Sequence, residues 1–355
     1  MKFFYFLVLL CFSFNLSSQN WNLVWEDNFD GNSLDNSKWT HDIGTGTQYG
    51  LYGWGNGELQ YYQSQNTTLN NGIATITVME EPNGLVDSWG NTSYYSSSKI
   101  TTKGNFSFRY GKVEARIKTI NGEGFWPAFW MLPTGGDWPC DGEIDIMEQW
   151  GNNYLTNNTT GAAHIGNCPY SQSTHTYENF STYISNGSYA DEFHKYSVIW
   201  NEDTIKWFVD EIETFRITPS SFSSIPSQNT WPFNDGNWYI MINLAITQGG
   251  PNIYTVFPNN IEIDYVRVYQ NNLTGNSNNL VDENYYCDNE KISANFLISS
   301  YEIYNIDGRL INMSQSYNKR NIELDNFRTG IYVCKFKNQT GNQFYQKIII
   351  NKKNE

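Results

Sequence analysis

Residues 141–151 read DGEIDIMEQWG and place three carboxylates, Glu143, Asp145 and Glu148, on one short stretch. Successive side chains of a strand alternate between faces, so Glu143 and Asp145 share one face and Ile144 and Ile146 the other. Strict alternation would send Glu148 to the apolar side, where a lone buried carboxylate is costly. One extra residue at Ile146–Met147, a β-bulge, returns Glu148 to the acidic face and turns Met147 inward. Three carboxyls along one face suit bond cleavage with a carboxylate nucleophile. One attacks, one donates a proton and later withdraws one, and the third holds a negative potential that keeps the donor protonated. An acidic strand that merely faces solvent shares the E-x-D part of this pattern. The glutamate after the phase break and the tryptophans around it favour chemistry.

Those tryptophans lie in FWPAFWMLP (125–133), DWPCD (137–141) and QWG (149–151). Aromatics make up 17% of the chain, with 13 Trp and 25 Tyr, and such side chains can cover a sugar ring while keeping a polar tip wet. They serve a β-rich core equally well. Helical periodicity is almost absent. Instead Val113, Ala115 and Ile117 interleave with Lys112, Glu114 and Arg116, and Ile261, Ile263 and Tyr265 interleave with Glu262, Asp264 and Val266. ATITV (74–78), KWFVD (206–210) and WYIMINLAI (238–246) are further strand candidates between Gly, Asn and Ser clusters. Many short strands without βα alternation predict an all-β fold, a two-sheet β-sandwich or jelly roll with a concave cleft, over roughly 250 residues.

The formal charge of −14 disfavours nucleic acid and anionic membranes as partners and leaves a neutral glycan as the better match. The first residues, MKFFYFLVLLCFSFNLSSQ, have the layout of a signal peptide, so the chain is expected to be secreted or held at the cell surface. The expected organisation is a leader at 1–18, a large domain at 19–270, an Asn-rich linker at 271–287 and a small strand-rich domain at 288–355. Cys140 and Cys168 are candidates for a disulfide closing a loop beside the carboxylates, and Cys287 and Cys334 for another. No Cys or His spacing suggests zinc, and nothing demands more than a monomer.

G-E-I-D-I-M-E with W-P-A-F-W-M-L-P upstream resembles the signature of glycoside hydrolase family 16. The resemblance runs from LVWEDNFDG (23–31) to IEIDYVRVYQ (261–270). It takes in YGWGNGELQYY (52–62), KITTKGNFSFRYGKVEARI (99–117), FHKYSVIW (193–200) and WPFNDGNWYIMINLAI (231–246). It implies a jelly-roll sandwich and endo-hydrolysis with retention, with Glu143 as nucleophile, Asp145 as assisting acid and Glu148 as acid/base. The G-W-G-N-x-E-L-Q-Y-Y segment is most similar to the laminarinase branch, which cuts β-1,3-glucans and sometimes mixed β-1,3/1,4-glucans. On that likeness Asn56, Glu58, Trp126, Trp130 and His164 line the glucose subsites, although Trp130 suits a core position equally well. Two features depart from the pattern: Lys99 stands where relatives carry Arg, and the segment GNCPYSQSTHTYENF (166–180) is unusual.

No cofactor is expected for catalysis. A structural calcium ion is implied by the resemblance, with Asp264 as carboxylate ligand and Glu26 and Gly72 supplying carbonyls. YEIYNIDGRLI (301–311), ELDNFRTGIYVCKF (323–336) and KIIINKK (347–353) resemble the C-terminal sorting domain of type IX secretion, which makes the export machinery a partner. Two alternatives stand beside the glucanase reading. One is a hydrolase of marine galactans, agar or carrageenan, on the same fold. The other is a non-catalytic glucan-binding protein, which the intact pair of Glu143 and Glu148 disfavours.

Overall fold

The computed structural model describes residues 21–150, 157–222, 231–234, 236–271, 285–287, 291–305, 308–324, 327–339 and 343–350. The leader at 1–18 and most of the 271–287 linker lie outside the described residues. The chain divides into two compact units, residues 1–271 and 272–355.

The first unit contains, in chain order, β1 (Trp21–Asp27), β2 (Thr40–Asp42), β3 (Gln60–Tyr62), β4 (Thr67–Asn70), β5 (Ile73–Val86) and β6 (Thr92–Ser97). There follow β7 (Lys99–Thr101), β8 (Gly111–Lys118), β9 (Phe125–Pro133), β10 (Glu143–Glu148), β11 (Asn158–Ile165) and β12 (Thr176–Tyr183). The last are β13 (His194–Trp200), β14 (Ile205–Val209), β15 (Ile212–Ile217), β16 (Trp238–Ile246) and β17 (Asn259–Asn271). Among the described residues the only helices of this unit are short 3-10 turns.

Ten of these strands form one sheet along the order β15-β14-β13-β8-β17-β5-β6-β3, with β1 on β17 and β4 on β5. The other seven form a second sheet in the order β12-β11-β10-β9-β16-β7-β2. Alternation sets which side chains fill the space between the sheets. Val113, Ala115, Ile117, Ile261 and Ile263 are buried from one sheet, and Phe129, Met131, Ile144, Ile242 and Leu244 from the other, in one continuous core. The opposite face of the seven-stranded sheet carries Trp126, Trp130, the three carboxylates and His164.

One expected alternation is corrected. Strict alternation puts Tyr265 inward with Ile261 and Ile263 and Val266 outward, but β17 shifts register against β8 between Ile263 and Tyr265. The extra residue, Asp264, turns Val266 into the core and leaves Tyr265 half-buried.

Cys140 and Cys168 form a disulfide, with Cα atoms 5.5 Å apart. The Cys287 side chain lies outside the described residues. The second unit folds by itself as a six-stranded antiparallel sheet of β18 (Tyr285–Cys287), β19 (Lys291–Asn305), β20 (Leu310–Ser314), β21 (Lys319–Glu323), β22 (Gly330–Asn338) and β23 (Gln343–Ile350). It has its own core, including Ile298, Ile303, Ile322, Leu324 and Phe336.

Candidate active site

Strand β10 carries the bulge that its sequence calls for. Its register against β11 shifts between Asp145 and Glu148, and against β9 between Asp145 and Met147. Ile144, Ile146 and Met147 are buried, Asp145 is 4% exposed, and Glu143 and Glu148 keep partial contact with solvent. The core side fixes this kink. Trp207 Nε1 donates to the Asp145 carbonyl at 2.8 Å, and Gly161 of β11 lies opposite the bulge. A Cβ at Gly161 would stand 2.6 Å from the Phe180 ring and 2.8 Å from that same carbonyl oxygen, so only glycine allows the approach.

Each glutamate receives an indole N–H. Trp126 Nε1 donates to Glu148 at 2.9 Å, and Trp138 Nε1 donates to Glu143. Burial pushes the Glu143 carboxyl up to about 8, reinforced by the charge of Asp145 and opposed by His164 and the Trp138 hydrogen bond. Glu148 is held well above the usual carboxylate range, first by burial and then by Asp145. Burial raises Asp145 as well, and its hydrogen bond with Glu143 partly offsets this. Three carboxyls this close cannot all ionise, so the array retains protons at neutral pH and titrates as a unit.

His164 faces Glu143 across the β10–β11 ladder, and its Nε2 stands 3.1 Å from Asp145 Oδ2. Its Nδ1 lies 3.0 Å from Nε2 of His175, whose ring is nearly parallel to it at 5.2 Å. When Nε2 of a neutral His164 donates to ionised Asp145, Nδ1 must accept, and His175 supplies the N–H. Burial lowers the His175 pKa and keeps that ring neutral.

The expected subsite residues fall into two groups. Trp126 and Trp130 present partly exposed rings on the open face beside β10, with Trp130 directly opposite Asp145. Trp126 stacks on Trp150 at 4.2 Å, and Trp130 Nε1 donates to Asn243 Oδ1 at 2.7 Å. Asn56 is exposed, and its amide points back to Glu58 at 3.3 Å. Glu58 also accepts from Gln60 at 2.6 Å and from the Tyr62 hydroxyl at 3.0 Å. Burial raises its pKa against the pull of Lys99, and these bonds anchor the loop that carries Glu58.

The sequence assigned no contacts to several participants. Lys99 Nζ lies 4.4 Å over the Trp54 ring and 4.9 Å over Trp130, with Asp42 at 3.6 Å. Asn243 bridges Trp130 to the Tyr62 hydroxyl. As the one amide in the apolar run WYIMINLAI it could have been singled out. Trp138 had its signal in the tryptophan-rich flank, whereas His175 carries none, because its role depends on which loops meet.

The residues expected to hold calcium have protein partners of their own. The backbone segments converge as expected, since Asp264 is the bulged residue where β17 exchanges β5 for β1. Two of the three expected donor groups already have a cationic partner. Arg116 Nη1 holds the Asp264 carboxylate at 2.6 Å, and Lys38 Nζ donates to the Glu26 carbonyl at 2.8 Å. Gly72, at φ +77°, faces Asn28 and Asp30. Among the described residues no cluster of three or more Asp, Glu, His or Cys side chains could hold a metal ion.

Comparison with known proteins agrees with this geometry. Residues 52–245 match the family described as glycosyl hydrolases family 16, and residues 287–351 match the secretion system C-terminal sorting domain. Glucan endo-1,3-beta-glucosidase A1 of Niallia circulans is 37% identical over 70% of this chain, which spans 38% of that protein's length. The beta-glucanase of Rhodothermus marinus is 34% identical over 71% of this chain and 86% of its own. The crystal structure of the laminarinase catalytic domain from Thermotoga maritima MSB8 superposes with a TM-score of 0.64 at 35% identity, covering 70% of this chain and 98% of that one.

Proposed function

This chain belongs to glycosyl hydrolases family 16, and from that premise we propose that it is an exported, retaining endo-β-glucanase that hydrolyses β-1,3-glucan by double displacement. The observation that carries the reading is the gathering of Glu143, Asp145 and Glu148 on the open face of one bulged strand, with an indole N–H on each glutamate.

In the first step Glu143 attacks the anomeric carbon while Glu148 gives its proton to the departing glycosidic oxygen. Burial, together with the single negative charge shared by the Glu143–Asp145 pair, keeps Glu148 protonated for this purpose. Glu143 must be anionic to attack, and its proton passes to Asp145 along their hydrogen bond. Asp145 is oriented from below by Trp207 and from the side by His164. The indoles of Trp126 and Trp138 fix the two glutamates against rotation. In the second step Glu148, now a carboxylate, takes a proton from water as that water attacks the glycosyl ester on Glu143, releasing the sugar with retained configuration.

The surface chemistry supports a neutral glucan over a sulfated galactan. Lys99 is the only lysine or arginine in the seven strands of this sheet, and it is committed to Trp54, Trp130 and Asp42. Mixed β-1,3/1,4-glucan is the expected secondary substrate. The C-terminal unit would act as the signal for type IX export.

The test is reducing-sugar release by the purified protein on laminarin, barley mixed-linkage glucan, agarose and κ-carrageenan. Release from laminarin, abolished in Glu143→Gln and in Glu148→Gln, is the expected result. Release only from a galactan would refute the substrate. Silence on all four, with glucan binding retained, would refute catalysis.

A further inference from the structure

On the flank of the carboxylates away from Trp126 and Trp130, two loops meet. One is residues 134–142 between β9 and β10, and the other is residues 166–175 between β11 and β12. The disulfide Cys140–Cys168 joins them. Gly166 lets them touch, since a Cβ there would stand 2.6 Å from Pro139. Together they present a continuous aromatic panel. Trp138 stacks on Tyr170 at 5.1 Å, His175 lies 4.9 Å from Trp138 and 5.8 Å from Tyr170, and Tyr177 packs 5.1 Å from His164. Register places Glu143, His164 and Tyr177 in one row across β10, β11 and β12 on the same face. The panel therefore continues the floor of the active site.

A panel of this size built only to fill space would be buried. Instead Tyr170 is 53%, Tyr177 52% and Trp138 41% exposed. The same two loops carry Ser171, Ser173 and Thr174 with Asp137 and Asp141, and neither contains a lysine or arginine. Flat aromatic faces among hydroxyls and carboxylates suit an uncharged pyranose and repel a sulfated one.

We propose that Tyr170 and Tyr177, together with Trp138, form a glycan subsite for a neutral sugar of the chain being cleaved, and that the Cys140–Cys168 bond holds this subsite in place. The inference rests on the glucanase reading but assigns binding to Tyr170 and Tyr177, two side chains that the reaction itself does not use. Tyr170 contacts none of the three carboxylates in the interactions described and meets only the rings of Trp138 and His175, and Trp138 keeps its hydrogen bond to Glu143 when that outer ring is removed.

The experiment is kinetics and product mapping on laminarihexaose labelled with 18O at its reducing end, for the parent, Tyr170→Ala, Tyr170→Phe and the double variant Cys140→Ser/Cys168→Ser. Tyr170→Ala should raise KM about tenfold, as expected for one lost stacking contact, with kcat within about twofold. The position of cleavage along the hexaose should shift, because one subsite no longer pulls on the chain. Tyr170→Phe, which keeps the ring, should match the parent, and the double Ser variant should behave like Tyr170→Ala. Unchanged KM and cleavage pattern in Tyr170→Ala would overturn the subsite, as would a fall in kcat without any shift in pattern. A double Ser variant equal to the parent would overturn the role of the disulfide. A parent inactive on every glucan would overturn the reading beneath the proposal, an outcome distinct from an active parent with a silent Tyr170→Ala.

Discussion

Replacing Glu143 by Gln should destroy hydrolysis and at the same time stabilise the fold, with a pH dependence that identifies the cause. The folded-state pKa of Glu143 is raised from 4.5 to about 8, so the folded protein binds this proton more tightly than the unfolded chain. Stability from this group is therefore complete below pH 4.5 and is lost as pH rises toward 8. Each unit of displacement corresponds to about 1.36 kcal/mol, which bounds the loss near 5 kcal/mol. Partial solvent contact at Glu143 and the hydrogen bond shared with Asp145 reduce the expected loss to about 2 kcal/mol. A glutamine cannot ionise, so the variant escapes that loss. For a unit of this size 2 kcal/mol corresponds to about 4–8 °C in Tm. Tryptophan fluorescence is the suitable probe because all 13 Trp lie in the first unit, which keeps unfolding of the second unit out of the signal. Parent and variant should melt together at pH 4.5, and the variant should melt about 4–8 °C higher at pH 8. Equal differences at both pH values, or a variant less stable at pH 8, would show that Glu143 is not held against its charge by burial.

Glu148→Gln should fail on laminarin yet still release an acidic phenol from an aryl β-glucoside in a burst, because such a leaving group needs no proton; mass spectrometry should then find a glycosyl adduct on Glu143, and its absence would count against the assigned nucleophile. Gly161→Ala forces a methyl against Phe180 and the Asp145 carbonyl, so a loss of about 1–3 kcal/mol in denaturant unfolding and at least a tenfold fall in kcat are expected; a variant with parental kcat would mean the bulge tolerates displacement. Treatment with EDTA should leave Tm within about 1 °C, since Arg116 and Lys38 already pair with Asp264 and the Glu26 carbonyl; a fall of several degrees reversed by added calcium would restore the metal.

How much of this site the sequence showed depended on whether a residue's alternatives differed in cost. The bulge in β10 was legible because strict alternation would have put Glu148 into the core, an outcome far more expensive than one extra residue. The bulge at Asp264 in β17 was not. Tyr265 and Val266 both tolerate either face, so the alternating pattern was equally satisfied by the wrong register. Glu58 illustrates a second limit. Its carboxylate could be named from the sequence, but Asn56, Gln60 and Tyr62 turn toward it only in the folded chain, and that gives it an anchoring role no local pattern shows.

Pairing across strands decides the rest. Asp145 is buried, yet its chemistry is set by Trp207 from the other sheet, by His164 one strand away and by His175 across a further loop. None of these is a local neighbour in sequence, and each acts through a hydrogen bond that a shift of one residue in register would break. The catalytic strand could therefore be read from its own eleven residues, whereas the protonation of that strand belongs to the sheet. A variant of His175 should accordingly alter the pH profile of kcat without any contact to substrate at the cleaved bond. His175→Ala leaves Nδ1 of His164 without its donor, so the tautomer with a proton on Nε2 loses its support and the hydrogen bond to Asp145 weakens. A weaker bond to the Asp145 carboxylate favours its protonated form, so the acidic limb of the kcat profile should move to higher pH by some tenths of a unit, while His175→Gln, which can still donate, should keep it in place. Superimposable profiles for parent and His175→Ala would show that Asp145 holds its proton without the histidine pair.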